Sequence, residues 1–223
     1  MKGVLAIARK DLLSELRSKE AINASVSFAL VILLIFSFAF EPTEEETRAI
    51  AGGLLWIAFS FAGALILNRS FARELPNDCL DVLLSSPVPG WALFLGKAFA
   101  NFALVIAIEC LCLPVFGIFF NIRWLRQPAS LAAVLLLGTW GLTVLGTAFS
   151  ALTVNIRLRE LMLPLLLYPA FAPALLAAMR LTTIVLSGQP ITGDDIAWLR
   201  LLIGFDIIFT ALAVTLVEFV LIL

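Results

Sequence analysis

The sequence contains no histidine among its 223 residues. Histidine is the commonest metal ligand, a frequent general base and a usual axial ligand of haem iron. A metal, acid–base or haem site in this chain would have to use other residues. The three cysteines, Cys79, Cys110 and Cys112, form neither a disulfide framework nor a CxxC pair. We therefore assign no catalytic residue and no metal ligand to this chain.

Charge is also scarce, and the two signs are balanced. Charged residues make up 14 % of the chain, with 15 Lys and Arg against 16 Asp and Glu, whereas about 25 % is usual in soluble proteins. This balance provides no basic surface for nucleic acid. Hydrophobic residues make up 62 %, more than a soluble domain of this length can bury. The composition therefore predicts a protein embedded in lipid.

Six apolar stretches are long enough to cross a membrane, since a spanning helix needs roughly 20 such residues. None shows the alternation of a barrel strand, and backbone groups in lipid must be paired within their own segment, so the spans are predicted to be helices. We expect an all-α polytopic membrane protein in which residues 1–223 form a single membrane domain. The spans lie near residues 22–40, 49–68, 98–120, 130–154, 161–185 and 198–220.

Residues 1–20 precede the first span and do not resemble a signal peptide, because basic residues interrupt them throughout. Leu5, Ala8, Leu12 and Leu16 recur at helical spacing. This pattern predicts an amphipathic helix lying in the membrane interface. An ordinary solvated N-terminal helix is the alternative.

The orientation follows from the distribution of Lys and Arg, which concentrate on the cytoplasmic side of membrane proteins. One side carries Lys2, Arg9, Lys10, Arg17, Lys19, Arg69, Arg73, Lys97, Arg157 and Arg159, and the other carries Arg48, Arg123, Arg126, Arg180 and Arg200. The richer side holds both termini, so both termini are predicted to be cytoplasmic.

The longest loop, residues 69–90, lies on that same side. Pro76 interrupts the helix that continues from span two, and Asn77 or Asp78 can cap a new short helix. A capped helix held beneath the membrane suits docking to a soluble partner, although a surface helix without a partner is the alternative. The candidate docking residues are Glu74, Asp78, Leu80, Asp81, Leu83 and Leu84.

A phosphate-binding loop is approached in one place but not matched. Between Gly90 and Gly96-Lys97 lie five residues instead of the four that a phosphate loop needs. Ala98 stands where Ser or Thr would hold magnesium. We interpret the similarity as coincidence, so any ATPase activity belongs to a partner.

Two acidic residues fall inside predicted spans, where carboxylates are costly and face either protein or water. Glu109 lies near the middle of span three, and Asp206 lies within span six. They could face a substrate path, or pair with Arg180, or bond to neighbouring helices and fix the packing. The sequence does not decide between these alternatives.

Span five contains Pro164, Pro169 and Pro173. Each proline removes one helical hydrogen bond, so this helix is expected to be kinked or partly unwound. Such a helix could move or line a substrate path. In span four, by contrast, small residues predict close contact between helices, and these are Gly138, Gly141, Gly146, Thr147 and Ser150.

Residues 151–178, ALTVNIRLRELMLPLLLYPAFAPALLAA, resemble the fifth-span region of the CcmB-type permeases, which form the membrane component of the haem-exporter-type ABC transporter in bacterial cytochrome c maturation. The stretch 94–98, Phe-Leu-Gly-Lys-Ala, is similar as well. Asp78-Cys79 departs from the Gly-Ser-like turn expected there. The first loop also resembles this family, at Arg69, Phe71, Glu74, Leu75, Leu80, Asp81, Leu83, Leu84, Pro87 and Pro89.

The resemblance implies a type-2 ABC exporter-like permease with an N-terminal interfacial helix and a coupling helix after span two. It further implies a separate ABC ATPase subunit, haem-handling membrane subunits and a periplasmic haem chaperone. Because ATPase sites of this class form between two nucleotide domains, we expect a homodimer of this chain. No cofactor is expected to be bound directly. If haem is the cargo, only weak iron ligands such as Tyr168, Met162 or Met179 are at hand.

Two functions therefore stay open. The chain is either a permease that couples ATP hydrolysis by its partner to haem handling or chaperone release, or a mechanical subunit that moves no solute and relays ATPase motion to haem-handling partners. A type-2 exporter permease for another lipophilic substrate is a variant of the first. The expected location is the bacterial inner membrane.

Overall fold

The computed structural model describes residues 2–40, 45–75, 88–154, 156 and 158–222, without the side chains of residues 2, 45–48 and 218–222. Within these ranges the protein is entirely helical, which confirms the predicted fold class. The helices are α1 (Lys2–Ser18), α2 (Glu20–Ala39), α3 (Glu45–Asn68), α4 (Gly90–Phe119), α5 (Pro128–Thr153), α6 (Arg159–Leu186) and α7 (Asp195–Ile222), with single 3₁₀ turns at Ala72–Glu74 and Trp124–Arg126.

Helices α2 to α7 are each long and apolar enough to cross a membrane. They correspond to the six predicted spans, and the largest difference is at α4, which begins at Gly90 rather than near residue 98. The predicted span begins after Lys97, which was counted among the cytoplasmic cations. In the structure the helix begins before Lys97, whose side chain is buried among protein groups.

The bundle has two ends, which we call proximal and distal. The proximal end holds residues 18–20, 69–75, 88–101, 147–154, 156, 158 and 159, and the distal end holds residues 121–127 and 186–195. At the proximal end α1 and α2 are separated by Lys19, whose backbone is left-handed with φ of 57°. This single residue breaks what would otherwise be one continuous helix.

Small residues allow the central helices to touch. A Cβ atom added to Gly138 on α5 would lie 2.2 Å from Cη2 of Trp56, and one added to Gly146 would lie 2.4 Å from Cδ1 of Leu67. The indole Nε1 of Trp56 in turn donates to Oγ1 of Thr182 on α6 at 2.9 Å. The packing role predicted for the small residues of span four is thus confirmed at Gly138 and Gly146.

Helix α6 is continuous from Arg159 to Leu186 despite its three prolines, so the expected partial unwinding is wrong. Pro169 and Pro173 lie on the exposed side of the helix and Pro164 is half-buried. A lost hydrogen bond does not open the helix, because in lipid the neighbouring backbone groups have no other partners.

Helix α1 packs along the first part of α4. The predicted stripe is divided between two faces, because Ala8 is buried with Ile7 whereas Leu5 and Leu16 are exposed. The face turned toward the bundle also carries Glu15, which is fully buried. The exposed leucines would contact lipid if α1 lies in the interface, as the sequence predicts.

Candidate functional site

Six charged side chains from three segments meet at the proximal end of the bundle. We call this group the ionic cluster, and it consists of Lys10, Asp11, Glu15, Arg73, Glu74 and Lys97. It encloses a cavity of about 250 Å³. Charges gathered away from water are costly unless they are paired and hydrogen-bonded, so the detailed geometry decides how this cluster is tolerated.

Lys97 is the centre of the cluster, with only 1 % of its surface exposed. Its Nζ atom donates to Ser70 O at 2.9 Å, to Asp11 Oδ2 at 3.0 Å and to Glu74 Oε1 at 3.1 Å. An ammonium group has three N–H donors, so all three are used. The Phe71 ring lies 5.0 Å from Nζ and adds a cation–π contact.

Glu15 forms the second buried centre. Its Oε1 atom accepts hydrogen bonds from the backbone N–H of Ala21 at 3.0 Å and of Ile22 at 3.3 Å. The carboxylate is also ion-paired with Arg73. Since the first N–H groups of a helix have no partner within that helix, Glu15 caps α2 from the preceding helix.

Lys10 closes the cluster from the surface by donating to Glu74 Oε1 at 2.5 Å. Burial lowers the pKa of Lys10, but its hydrogen bond to Glu74 and the negative charges of Asp11 and Glu74 together raise that pKa above its usual value. Lys10 is therefore charged at neutral pH, and Glu74 is bridged by two ammonium groups.

A polar chain continues from the cluster into the bundle. Asn101 on α4 donates through Nδ2 to Ser70 Oγ and to Thr147 Oγ1, both at 2.9 Å. These hydrogen bonds connect the end of α3 to α5 through α4. The residues on either side of segment 76–87 are thereby joined to each other and to the centre of the bundle.

Of the predicted docking residues, Glu74 lies in the ionic cluster. Asp78, Leu80, Asp81, Leu83 and Leu84 lie outside the described residues, so their docking role stays a prediction. Gly96 and Lys97, which resemble part of a phosphate loop, make contacts within the protein instead. Lys97 lies in the ionic cluster. A Cβ atom on Gly96 would lie 2.7 Å from Cβ of Ile7, so this glycine allows α1 to approach α4 closely.

The two intramembrane acids lie against α5. Oγ1 of Thr139 donates to Oε1 of Glu109 at 2.5 Å, and a Cβ atom on Gly141 would lie 2.7 Å from Oδ1 of Asp206. Both acids are buried, with 1 % and 6 % exposed. Their contacts with the neighbouring helix α5 favour the packing interpretation, although the pathway interpretation has not been tested.

Arg180 lies at the distal end, where its Nε atom is 3.6 Å from Asp195 Oδ1 and its guanidinium lies 5.5 Å from the Trp198 ring. Among the described residues this is the ion pair that Arg180 forms, and neither Glu109 nor Asp206 takes part in it. The pairing considered from the sequence is thus replaced by a partner at the start of α7.

An open groove of about 920 Å³ runs along the outside of the proximal end between α2, α3 and α6. Its apolar part contains Phe28, Phe61 and Pro164, and the rings of Phe28 and Phe61 are 6.3 Å apart. Its charged part holds three arginines and two acids, which are Arg69, Arg73, Arg159, Glu20 and Glu160. Arg69 already pairs with Glu20 at 2.9 Å. The groove thus offers aromatic surface next to a rim of mixed charge.

Tyr168 stacks on the same aromatic surface, with its ring 5.0 Å from that of Phe61. Its hydroxyl is buried without a hydrogen-bond partner among the described residues. It lies beside the groove rather than in its lining. Of the weak haem ligands considered from the sequence, Tyr168 therefore contacts this surface through Phe61.

Sequence reasoning missed Asp11, Glu15 and Lys97. One signal was present, because Asp11 and Glu15 are four residues apart and recur with Ile7 and Ala8 on one face of α1. Acids on an apolar helix face indicate buried partners. The identity of those partners depends on contacts 58 to 86 residues away, which local patterns do not reveal.

The family model described as CcmB protein matches residues 2–220. The chain belongs to the CcmB protein family. The match extends from the start of α1 to the last turn of α7, so it covers the ionic cluster, the groove and all six candidate spans. It confirms the family resemblance based on the first loop and span five.

Curated relatives of this chain are named heme exporter protein B. That of Rhodobacter capsulatus is 34 % identical over 173 residues, covering 77 % of this chain and 78 % of the relative. That of Paracoccus denitrificans is 31 % identical over 171 residues, with 77 % and 78 % covered. That of Pseudomonas aeruginosa is 32 % identical over 215 residues, with 96 % and 92 % covered.

Proposed function

We propose that this chain is the permease subunit of a haem-exporter-type ABC transporter that serves cytochrome c biogenesis. The observation that carries the proposal is the family match over residues 2–220, together with relatives named heme exporter protein B. The six apolar helices supply the membrane component that such a subunit requires. The chain is thus a multi-pass bacterial membrane protein, and we assign it to the inner membrane.

The ATPase of this transporter is a separate subunit that docks on the loop containing residues 76–87. In support, the flanks of this loop are fixed by Glu74 and Lys97 in the ionic cluster. Docking in the cytoplasm requires the proximal end to face inward, which agrees with the excess of Lys and Arg on that side. Two copies of this chain would then supply the two docking loops that a pair of nucleotide domains needs.

Haem is the proposed cargo or the ligand handled by neighbouring subunits. Haem combines a flat apolar ring with two carboxylates. The groove is lined by the rings of Phe28 and Phe61 and by Arg159, whereas Arg69 is paired with Glu20. Because the chain has no histidine, strong iron ligation falls to another subunit. Haem-handling membrane subunits and a periplasmic haem chaperone complete the assembly.

The second candidate is a mechanical subunit that moves no solute. It is favoured by the filled interior of the bundle, in which several of the largest side chains are buried completely. These are Trp56, Phe59, Phe116 and Phe171. In this case ATP-driven motion would be passed to haem-handling neighbours and would release a loaded chaperone.

Reconstitution in vesicles separates the two candidates. The chain and its ATPase subunit are inserted with haem on one side, and haem transfer is followed after addition of ATP. ATP-dependent transfer supports the permease, whereas chaperone release without transfer, measured with the haem-handling subunits present, supports the mechanical subunit. The vesicles without ATP and those with an ATPase variant unable to hydrolyse ATP are the controls.

A further inference from the structure

The residues before and after segment 76–87 are held at one point. Ser70 and Glu74 precede the segment and Lys97 follows it, and Lys97 Nζ contacts Ser70 O at 2.9 Å and Glu74 Oε1 at 3.1 Å. The same Nζ atom contacts Asp11 of α1 at 3.0 Å. One buried ammonium group thus joins both flanks of the loop to the N-terminal helix.

We propose that Lys97 is a positioning residue that fastens α1 to both flanks of segment 76–87, so that α1 moves with this segment during the ATPase cycle. The inference rests on the proposed docking of an ATPase subunit at that segment. It names α1 as the moving helix and Lys97 as the residue that couples α1 to segment 76–87.

The connection is stiff because Lys97 itself is buried, and its contacts with Asp11 and Glu74 are partly buried. If α1 separated from α4, the Lys97 ammonium would lose a carboxylate inside protein, and an unpaired buried charge is strongly disfavoured. Lys10 adds a second link from α1 to Glu74 at 2.5 Å. Gly96 brings the two backbones together, since a Cβ atom there would lie 3.0 Å from Val4 O.

The outer side of α1, by contrast, is not held by the bundle. Leu5, Leu13 and Leu16 are exposed on this side, and lipid gives little resistance to sliding apolar surface. Helix α1 is fixed to Lys97 on one face and exposed on the other, so it should move together with Lys97 and the flanks of the loop. Buried ion pairs contribute little net stability compared with apolar packing, so this cluster is better explained by transmission than by stabilisation.

The test follows α1 directly. A background carrying Cys79→Ser, Cys110→Ser and Cys112→Ala receives Leu5→Cys, which is labelled with an environment-sensitive fluorophore. The full complex with its ATPase subunit is placed in vesicles, and the fluorescence change on adding ATP with vanadate is recorded. The Lys97→Met variant is compared with Arg9→Met, which removes an exposed cation of α1 outside the ionic cluster and leaves the three contacts of Lys97 in place.

We expect a clear change in the parent and in Arg9→Met. In Lys97→Met the change should fall about fivefold or more, because α1 loses its coupling to the flanks of the loop. Co-purification of the ATPase subunit should stay near the parent value. The thermal midpoint should fall, because Asp11 and Glu74 lose their shared cation. Gly52→Ala, which is destabilised by a clash with α6, controls for lower stability and should keep the parent's fluorescence change.

Two results overturn the inference. One is an undiminished change in Lys97→Met, and the other is a silent Leu5 probe in a parent complex that hydrolyses ATP. If Lys97→Met does not fold, Asp11→Ala is used, because it removes the group of α1 that accepts from Lys97, and an undiminished change there overturns the inference equally. Failure of the parent to bind any ATPase subunit would instead contradict the proposed function.

Discussion

Glu15 on α1 and Arg73 in the turn after α3 form a buried ion pair across the proximal end of the bundle. The same carboxylate caps α2 through the N–H groups of Ala21 and Ile22. One side chain thus joins three successive segments of the chain. The energetic consequence is that its removal should cost far more than removal of a surface acid.

We predict that Glu15→Ala lowers the free energy of unfolding by about 2–3 kcal/mol, because it leaves α2 without its cap and Arg73 without its partner. Glu20→Ala is the matched control, since Glu20 pairs with Arg69 but is 72 % exposed. The control should change stability by less than about 1 kcal/mol. Thermal unfolding in mild detergent measures both, and equal effects would contradict the assigned role of Glu15.

Adjacent glycines on α3 give a second prediction. A Cβ atom on Gly52 would lie 2.3 Å from Met179 O, whereas one on Gly53 would meet nothing within 4 Å. Gly52→Ala should therefore destabilise the protein by about 1–3 kcal/mol through overpacking against α6. Gly53→Ala should be neutral or stabilising by about 1 kcal/mol, because alanine is the better helix former. Thermal midpoints of the two variants check this, and a reversed order would refute the packing of α3 on α6.

Glu109→Gln should leave haem handling within about twofold of the parent, because the amide oxygen can still accept the hydrogen bond from Thr139. Glu109→Ala should destabilise the protein by about 2 kcal/mol, because it opens a cavity and leaves the Thr139 hydroxyl without this partner. Activity in vesicles and thermal unfolding are measured together. Loss of activity in Glu109→Gln at unchanged stability would establish a pathway role for this acid.

Leu83→Asp should abolish co-purification of the ATPase subunit, since a carboxylate on the docking face would have to be buried against the partner. Leu125→Asp is the control, because Leu125 is an exposed leucine in the turn at the distal end of the bundle. The measurement is the amount of ATPase subunit recovered with each variant. Retained binding by Leu83→Asp would refute the docking assignment.

The orientation can be tested with single cysteines in a background free of native cysteine. Ser18→Cys at the proximal end and Gln189→Cys at the distal end are both exposed. If the excess of Lys and Arg marks the cytoplasm, an impermeant thiol reagent added to intact cells should label Gln189→Cys and spare Ser18→Cys. Labelling of both after cell lysis is the control, and the opposite pattern in intact cells would reverse the orientation.

Composition and hydropathy were sufficient to predict six helices, because lipid requires long apolar segments with paired backbone groups. They did not show that the helix of span three begins before Lys97, whose charge is paired with Asp11 and Glu74. Nor do the three prolines unwind α6. The pairing of Lys97 depends on contacts in three dimensions, which a local pattern does not contain.

The candidate site was harder to predict from the sequence than the fold. Glu74 was recognised from its loop, and the glycines of α5 from their spacing, since both signals are local. Glu15 and Asp11 carried only the hint of acids on an apolar face of α1. Their importance depends on Arg73 and Lys97, and the sequence distance to these residues is bridged only by the folded bundle.

The ionic cluster also sets an order for assembly during synthesis. Asp11 and Glu15 leave the ribosome first, but their partners Arg73 and Lys97 emerge only after two hydrophobic helices have been handed to the translocon. Until then Asp11 has only its neighbour Lys10 as a counter-charge, and Glu15 lacks Arg73. Helix α1 is therefore fully seated only after α4 has begun to insert.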